Sequence, residues 1–263
     1  MRRMKTDKKI VPELPEKNEI NVYIELGKRQ LALYQKIVSE LKEENKYSNG
    51  EFESKRLIVT AIMHLKQICN HPSQYTGDKL YTPEDSGKFQ TLQEICESIR
   101  DRQERVLIFT QFKEIAEPLN IFLEKIFDES GRIITGDTTL KKRNEYVDDF
   151  QMGKIPYMVL SLKAAGVGLN LTKANNVIHF DRWWNPAVEE QATDRAFRIG
   201  QTKNVNVYKF IAKNTLEEII NKMQDTKSLL FDSVLGNTEC NAMSKLSSVD
   251  LIKLMEYSGE YYG

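Results

Sequence analysis

The sequence predicts a doubly wound α/β domain, a parallel sheet with helices on both faces, preceded by a helical segment. Five short runs of β-branched and apolar residues lie between positions 106 and 211, and amphipathic stretches of helical period separate them. Each run is apolar through its middle, as a strand buried on both faces must be. That alternation of runs and helical stretches is the signature of a parallel sheet with crossover helices.

Ahead of the sheet, a charged lead-in with Pro12 and Pro15 precedes a short strand expected over 22–26. Helical patterns follow over 30–41 and 55–69, parted by the polar loop KYSNGEFE. Residues 76–87 are rich in Gly, Pro, Asp and Thr and read as the linker into the α/β domain. Phe89, Leu92, Ile95, Cys96 and Ile99 then recur at helical spacing, ahead of the strand 106–110 (VLIFT). Ile115, Leu119, Phe122, Leu123 and Ile126 form the next helical stripe. Residues 132–135 (RIIT), 157–162 (YMVLSL), 177–181 (VIHFD) and 205–211 are the remaining strands. Thr215 and Glu218 make a T-x-x-E capping box before the stripe of Leu216, Ile219, Ile220 and Met223. The tail from Gly236 is expected to end in a short helix over 249–255, so the chain divides into 1–85, 86–235 and 236–263.

Composition narrows the function classes. Of 263 residues, 40% are hydrophobic and 29% charged, which suits a packed core and excludes a disordered chain. Lys plus Arg and Asp plus Glu number 38 each, which argues against indiscriminate polyanion binding, so any nucleic-acid surface must be a local patch. No apolar run approaches the roughly 18 residues of a membrane span, and the first ten residues lack the apolar stretch of a secretory signal, so no membrane partner is expected. Cys69, Cys96 and Cys240 lie far apart without a CxxC, which offers neither a disulfide framework nor a four-cysteine metal site. A reducing compartment is expected.

Three strings carry chemistry. In residues 185–201 (NPAVEEQATDRAFRIGQ), Asn185 suits an N-cap, Pro186 the first helical position and Gly200 the stop, which predicts one helix of about three and a half turns. Gln191, Arg195 and Arg198 would share one face of it, with Ala192, Ala196 and Ile199 on the face toward the sheet. Two arginines a turn apart could grip a polyphosphate, because the guanidinium fork matches phosphate oxygens and keeps its charge. A solvated face paired through Glu190, Asp194 and Arg195 is the alternative.

Residues 161–171 (SLKAAGVGLNL) follow a strand. Ala164, Ala165, Gly166 and Gly168 leave room for a phosphate or sugar to approach the backbone, and Ser161 and Lys163 add a hydroxyl and a charge. A tight strand-to-helix turn would read the same way, and Leu171 stands where a dinucleotide fingerprint needs its third glycine. In residues 181–186 (DRWWNP), both tryptophans of the chain, Trp183 and Trp184, close a strand, either contacting a ligand or a partner lobe, or lidding the sheet.

Taken in order, these strings closely resemble the carboxyl-terminal half of the Swi/Snf-type chromatin-remodelling and DNA-translocating ATPases of helicase superfamily two. Residues 1–20 look like the segment leaving the first motor lobe, 65–72 (LKQICNHP) like the inserted helical protrusion and 86–88 (SGK) like the opening of the second lobe. VLIFTQF is similar to motif IV, residues 136–150 with Arg143 to the segment after it, SLKAAGVGLNL to motif V, DRWWNP to the linking element and QATDRAFRIGQ to motif VI.

The resemblance implies a RecA-like second motor lobe over 86–235, with an inter-lobe segment and protrusion over 1–85 and a helical tail. It implies that Arg195 and Arg198 are arginine fingers reaching ATP, held with Mg²⁺ by the first lobe, with Gln191 assisting. Gly166, Gly168 and Asp194 would face the nucleotide, and Ser161, Lys163, Trp184 and Arg143 double-stranded DNA. Ala165 stands where the family commonly has glycine and Phe197 where it commonly has histidine. The compact protrusion and short tail are similar to those of prokaryotic members, which would put the protein in the cytoplasm on the nucleoid; a eukaryotic member would be nuclear.

No G-x-x-x-x-G-K-[ST] occurs, since Phe89 follows the SGK string and Thr82 stands where the first glycine would be. No DExH or DEAD carboxylate pair for Mg²⁺ appears either. The chain is therefore expected to be half of an enzyme, the distal part of a longer polypeptide, inactive alone. Its expected partners are a first lobe in the same polypeptide, double-stranded DNA and a DNA-bound protein. No metal site of its own is expected: His64, Cys69 and His71 cluster at one helix end but offer three ligands without a fourth. The rival expectations are a strand-separating helicase lobe, against which LKQICNHP and DRWWNP argue, and a non-catalytic interaction module, against which the retained arginines argue.

Overall fold

A computed structural model describes residues 15–47, 50–165, 168–231 and Met255. The elements in chain order are β1 (Lys17–Ile24), α1 (Lys28–Lys46), α2 (Glu51–Asn70), α3 (Pro72–Thr76), α4 (Gly87–Asp101), β2 (Val106–Thr110), α5 (Ala116–Phe127) and β3 (Arg132–Ile134). They continue with α6 (Leu140–Gln151), β4 (Tyr157–Ser161), α7 (Leu162–Ala165), β5 (Asn176–His179), α8 (Pro186–Thr193), β6 (Val205–Ala212) and α9 (Leu216–Phe231).

Among the described residues six strands form one sheet in the order β1-β6-β5-β2-β4-β3. β2 pairs in parallel with β4 on one side and β5 on the other, and β3 with β4 and β5 with β6 do the same. The chain crosses β2 between β4 and β5. Ser161 at the end of β4 therefore lies opposite Thr110, and His179 at the end of β5 opposite Phe109, at the strand ends where parallel sheets hold ligands. Val106 to Phe109 and Tyr157 to Leu160 are wholly buried, each large apolar side chain contributing about 1.5–3 kcal/mol.

The chain divides into two compact units that do not follow its order. One contains Leu92–Phe180 and Pro186–Lys209 with the strand residues up to Val22, and its core is the sheet with Leu92, Cys96 and Ile99 of α4 and Leu119 and Leu123 of α5. The other gathers Tyr23–Thr91, Asp181–Asn185 and the chain from Phe210. In it, Tyr34, Ile37, Val38 and Leu41 of α1 pack with Ile58, Ala61, Ile62 and Leu65 of α2, joined by Leu216, Ile220 and Met255.

Polar groups also fix this second unit. Gln30 donates to the carbonyls of Ile68 (2.7 Å) and Cys69 (3.0 Å) and accepts from the amides of Gly27 (3.0 Å) and Gly87 (3.2 Å). The SGK string serves packing as well. Ser86 Oγ donates to the Asn70 carbonyl at 2.6 Å, a Cβ on Gly87 would lie 2.2 Å from the Glu25 carbonyl oxygen, and Lys88 is buried against Glu217. His71 is structural: Nδ1 accepts from the Ser73 amide (3.0 Å), capping α3, while Nε2 donates to the Thr82 carbonyl (2.9 Å). Among the described residues no three His, Cys, Asp or Glu side chains converge as a metal site.

The expectations for β1 and for the start of α9 differ from the structure. β1 starts five residues earlier than expected and ends at Ile24, because most of its side chains are exposed and its residues lack the apolar run that marks an inner strand. The Thr215 cap is offset: its Oγ1 accepts from the Glu217 amide (3.2 Å), and the Glu218 carboxylate reaches the amide of Asn214 (2.7 Å), which sits in the left-handed region. Of the tail helix expected over 249–255, only Met255 lies among the described residues.

Candidate functional site

The single long helix expected over 185–201 does not form. α8 ends at Thr193, and the chain goes on in tighter turns: the amides of Arg195 and Ala196 reach the carbonyls of Ala192 (3.1 Å) and Thr193 (3.0 Å), and the Arg198 amide reaches that of Ala196 (3.2 Å). Two donors occupy carbonyls that would continue the helix, one from outside the segment and one at its own end. The amide of Leu171 takes the Arg195 carbonyl at 2.9 Å, and Gln201 Nε2 takes the Ala196 carbonyl at 3.1 Å. Both carbonyls would be needed by the next helical turn.

The break changes what each side chain faces. Ala192 and Ala196 are buried as expected, but Ile199 is 75% exposed. Gln191 and Arg198 are exposed, whereas Arg195 is only 9% exposed, so the polar trio does not share one solvated face. The Nε of Arg195 is buried without an acceptor. Burial lowers its pKa, the neighbouring charge of Arg198 lowers it further, and Asp194 offsets this in part. A buried cation beside another cation is a site that an anion would stabilise.

Gln201 is the residue that sequence reasoning missed. Its Nε2 also donates to the carbonyls of Thr172 (3.0 Å) and Ala174 (2.7 Å), and its Oε1 accepts from the amides of Thr202 and Lys203, both at 2.9 Å. It thus ties the end of the arginine turns to the loop after SLKAAGVGLNL. Its place directly after Gly200, which has φ 100°, was the available signal: an amide side chain at a chain reversal has both a donor and an acceptor to spend.

The SLKAAGVGLNL string meets the arginine turns through Leu171, and α7 lies beside α8. Ser161 is buried and its Oγ accepts from the Ala164 amide at 3.3 Å, while Lys163 is exposed. Gly168 is exposed, with open space where a side chain would project, and Gly166 lies outside the described residues.

One expected DNA contact, Arg143, is buried, as Ser161 is. Arg143 is 8% exposed, and its guanidinium donates to the carbonyls of Thr135 (3.4 Å) and Thr138 (3.3 Å), bracing the turn between β3 and α6. The exposed cations of that helix start are Lys141 and Lys142. Trp184 belongs to the other unit, half-buried against the helical core with Lys66 Nζ 5.6 Å from its ring centre. Lys66 donates to the Arg182 carbonyl, the buried Arg182 guanidinium donates to Asn221 and Gln224, and Gln224 donates to the Trp183 carbonyl. DRWWNP is therefore clamped by α2 and α9.

Residues 87–200 match the helicase conserved C-terminal domain, and residues 1–74 match the SNF2-related domain. A Bacillus subtilis protein, YwqA, whose name assigns it to ATP-dependent helicases or translocases, is 40% identical over 260 residues, 98% of this chain and 28% of its own. The chain thus spans about a quarter of that relative's length. The SWI2/SNF2 ATPase core of Sulfolobus solfataricus in complex with double-stranded DNA superposes with a TM-score of 0.81 at 37% identity, covering 98% of this chain and 54% of that one. The C-terminal domain of the Sulfolobus SWI2/SNF2 ATPase superposes with a TM-score of 0.78 at 33% identity, covering 93% of this chain and 100% of that one.

Proposed function

The chain belongs to the SWI2/SNF2 ATPases, as the carboxyl-terminal domain of their core, and from that premise we propose that it is the second motor lobe of an ATP-dependent double-stranded DNA translocase. The observation that carries the proposal is Arg195: a buried guanidinium with an orphaned Nε, held at both main-chain ends of its turn and next to the exposed Arg198. Phosphoryl transfer leaves little covalent work for a protein, so the contribution of this chain is charge in the right place. Arg195 and Arg198 reach the phosphates of ATP that another lobe holds, and Mg²⁺ is held there too, by carboxylates this sequence lacks. Gln191, Asp194, Gly166 and Gly168 line the nucleotide side.

Lys163, Lys141 and Lys142, all exposed, touch backbone phosphates and read no sequence. Ser161 and Arg143 act by shaping the turns that carry those lysines, and Trp184 connects DNA to the clamped DRWWNP segment. The complex of the Sulfolobus core with double-stranded DNA supports duplex DNA as the track. The same reading puts the protein on its DNA, at the nucleoid of a prokaryote or in a eukaryotic nucleus.

The test is ATP hydrolysis by the two-lobe protein with saturating duplex DNA. Arg195→Ala and Arg198→Ala should each lower kcat by about 10³ or more with DNA affinity unchanged, and lysine should not restore it, because a point charge lacks the planar fork. Phe197→His should be mild. Wild-type turnover in both alanine variants would make the interaction module the better reading.

A further inference from the structure

His179 ends β5 with its side chain wholly buried, and its Nε2 lies 2.9 Å from Oγ1 of Thr193. The imidazole is stacked on Phe109 of the central strand, with ring centres 5.6 Å apart and planes inclined by 24°. Main-chain pairing holds the same place, since the Phe180 amide donates to the Phe109 carbonyl at 2.9 Å. Thr193, 3% exposed, is the last residue of α8. Its carbonyl accepts from the amides of both Ala196 and Phe197 at 3.0 Å, the two bonds that close the turn around Arg195.

A line of short contacts therefore runs from the sheet to the arginine: Phe109, His179, Thr193, then the turn carrying Arg195. Apolar side chains could fill both the strand-end and the helix-end positions. Two buried polar groups facing each other instead gain little net stability, because each needs the other to offset its lost hydration. What the bond does supply is a fixed register between the end of α8 and the end of β5.

We propose that His179 is a positioning residue for Arg195, acting through Thr193 to set where the arginine turn leaves the sheet. The proposal rests on the reading of Arg195 as a group that meets ATP phosphates in the transition state. A shift of about 1 Å in such a group costs on the order of 10²-fold in rate.

The experiment measures duplex-stimulated ATP hydrolysis and thermal melting for the two-lobe protein carrying Thr193→Val, Thr193→Ser or His179→Phe, each alone and combined with Arg195→Ala. Thr193→Val keeps the shape and loses the hydroxyl, Thr193→Ser keeps the hydroxyl, and His179→Phe keeps the stack and loses the bond. Expected is a fall in kcat of about 10- to 100-fold for Thr193→Val and His179→Phe with KM for ATP nearly unchanged, and recovery of most of it in Thr193→Ser. Both losses should disappear in the Arg195→Ala background, since the bond acts only through that arginine. If Arg195→Ala lowers kcat while the Val and Phe variants do not, or if their losses add fully to its own, the positioning role is wrong and the finger reading stands. If Arg195→Ala itself leaves kcat unchanged, both fall.

Discussion

Lys88 Nζ and Glu217 Oε1 meet at 2.7 Å with their side chains 1% and 0% exposed. Lys88 also donates to Asn70 Oδ1 (3.0 Å), and the second oxygen of Glu217 accepts from the Ala212 amide (3.0 Å). The lysine of the SGK string is therefore committed to joining the start of α4 to the start of α9. Removing one partner of a buried pair strands the other charge, so Lys88→Met should cost about 3–5 kcal/mol in urea unfolding. Lys88→Met with Glu217→Gln should recover most of that, because glutamine can still accept from Ala212. A single variant as stable as the wild type would show the pair to be hydrated.

Alone, this chain should show no ATP hydrolysis above background and should bind duplex DNA weakly, whatever its sequence. If Lys141, Lys142 and Lys163 each neutralise one phosphate, the slope of log affinity on log salt is about −2.7, so a fourfold rise in salt weakens binding about 40-fold. Fluorescence anisotropy at two salt concentrations checks this. Salt-independent binding to one preferred sequence would contradict backbone-only contact.

The inner strands were legible because burial on both faces leaves a run of apolar residues, and 106–110 is a strand in the sequence pattern and in the structure alike. β1 was poorly legible for the converse reason. The arginine segment reads as one helix because Asn185 and Gly200 punctuate it so, whereas it is broken by the Leu171 amide, from another part of the chain, and by the Gln201 side chain at its own end, neither of which marks itself in the pattern. Arg143 stood in a basic run that looks solvated, yet its own loop supplies its acceptors.

Glu19 should make the sheet edge acid-sensitive. Burial tends to raise its pKa, but hydrogen bonds from Lys17 and Lys209, with their charges, outweigh this and lower it from 4.5 to about 2. A depressed carboxyl contributes stability in full above 4.5, and that contribution is lost as pH falls through about 2. Melting temperatures taken between those limits should fall more steeply for the wild type than for Glu19→Gln. Parallel curves would count against the contact.

Cys69 and Cys96 should be inert while the protein is folded. Burial, and then the charge of Glu217, pushes the Cys69 thiol up to about 12; burial and Glu97 push Cys96 up as well. In a Cys240→Ser background, iodoacetamide at neutral pH should label neither until denaturant is added. Labelling at the native rate of a free thiol would show that the core around α2 or α4 opens.

The pairing of β1 with β6 joins residues 188 apart, Glu16 to Asn204 at one end and Glu25 to Lys213 at the other. On the ribosome, β1 is made first and must wait for the whole sheet before it has a neighbour. Closing so long a loop is entropically slow, which makes the addition of β1 a late event in folding. Until then β6 is an open edge with unsatisfied amides, and another nascent chain competes for it on equal chemical terms. The polar residues of β1, Lys17, Asn18, Glu19 and Asn21, keep the waiting strand from associating with itself, so the composition that hid this strand from the sequence pattern also protects the chain while it is being made.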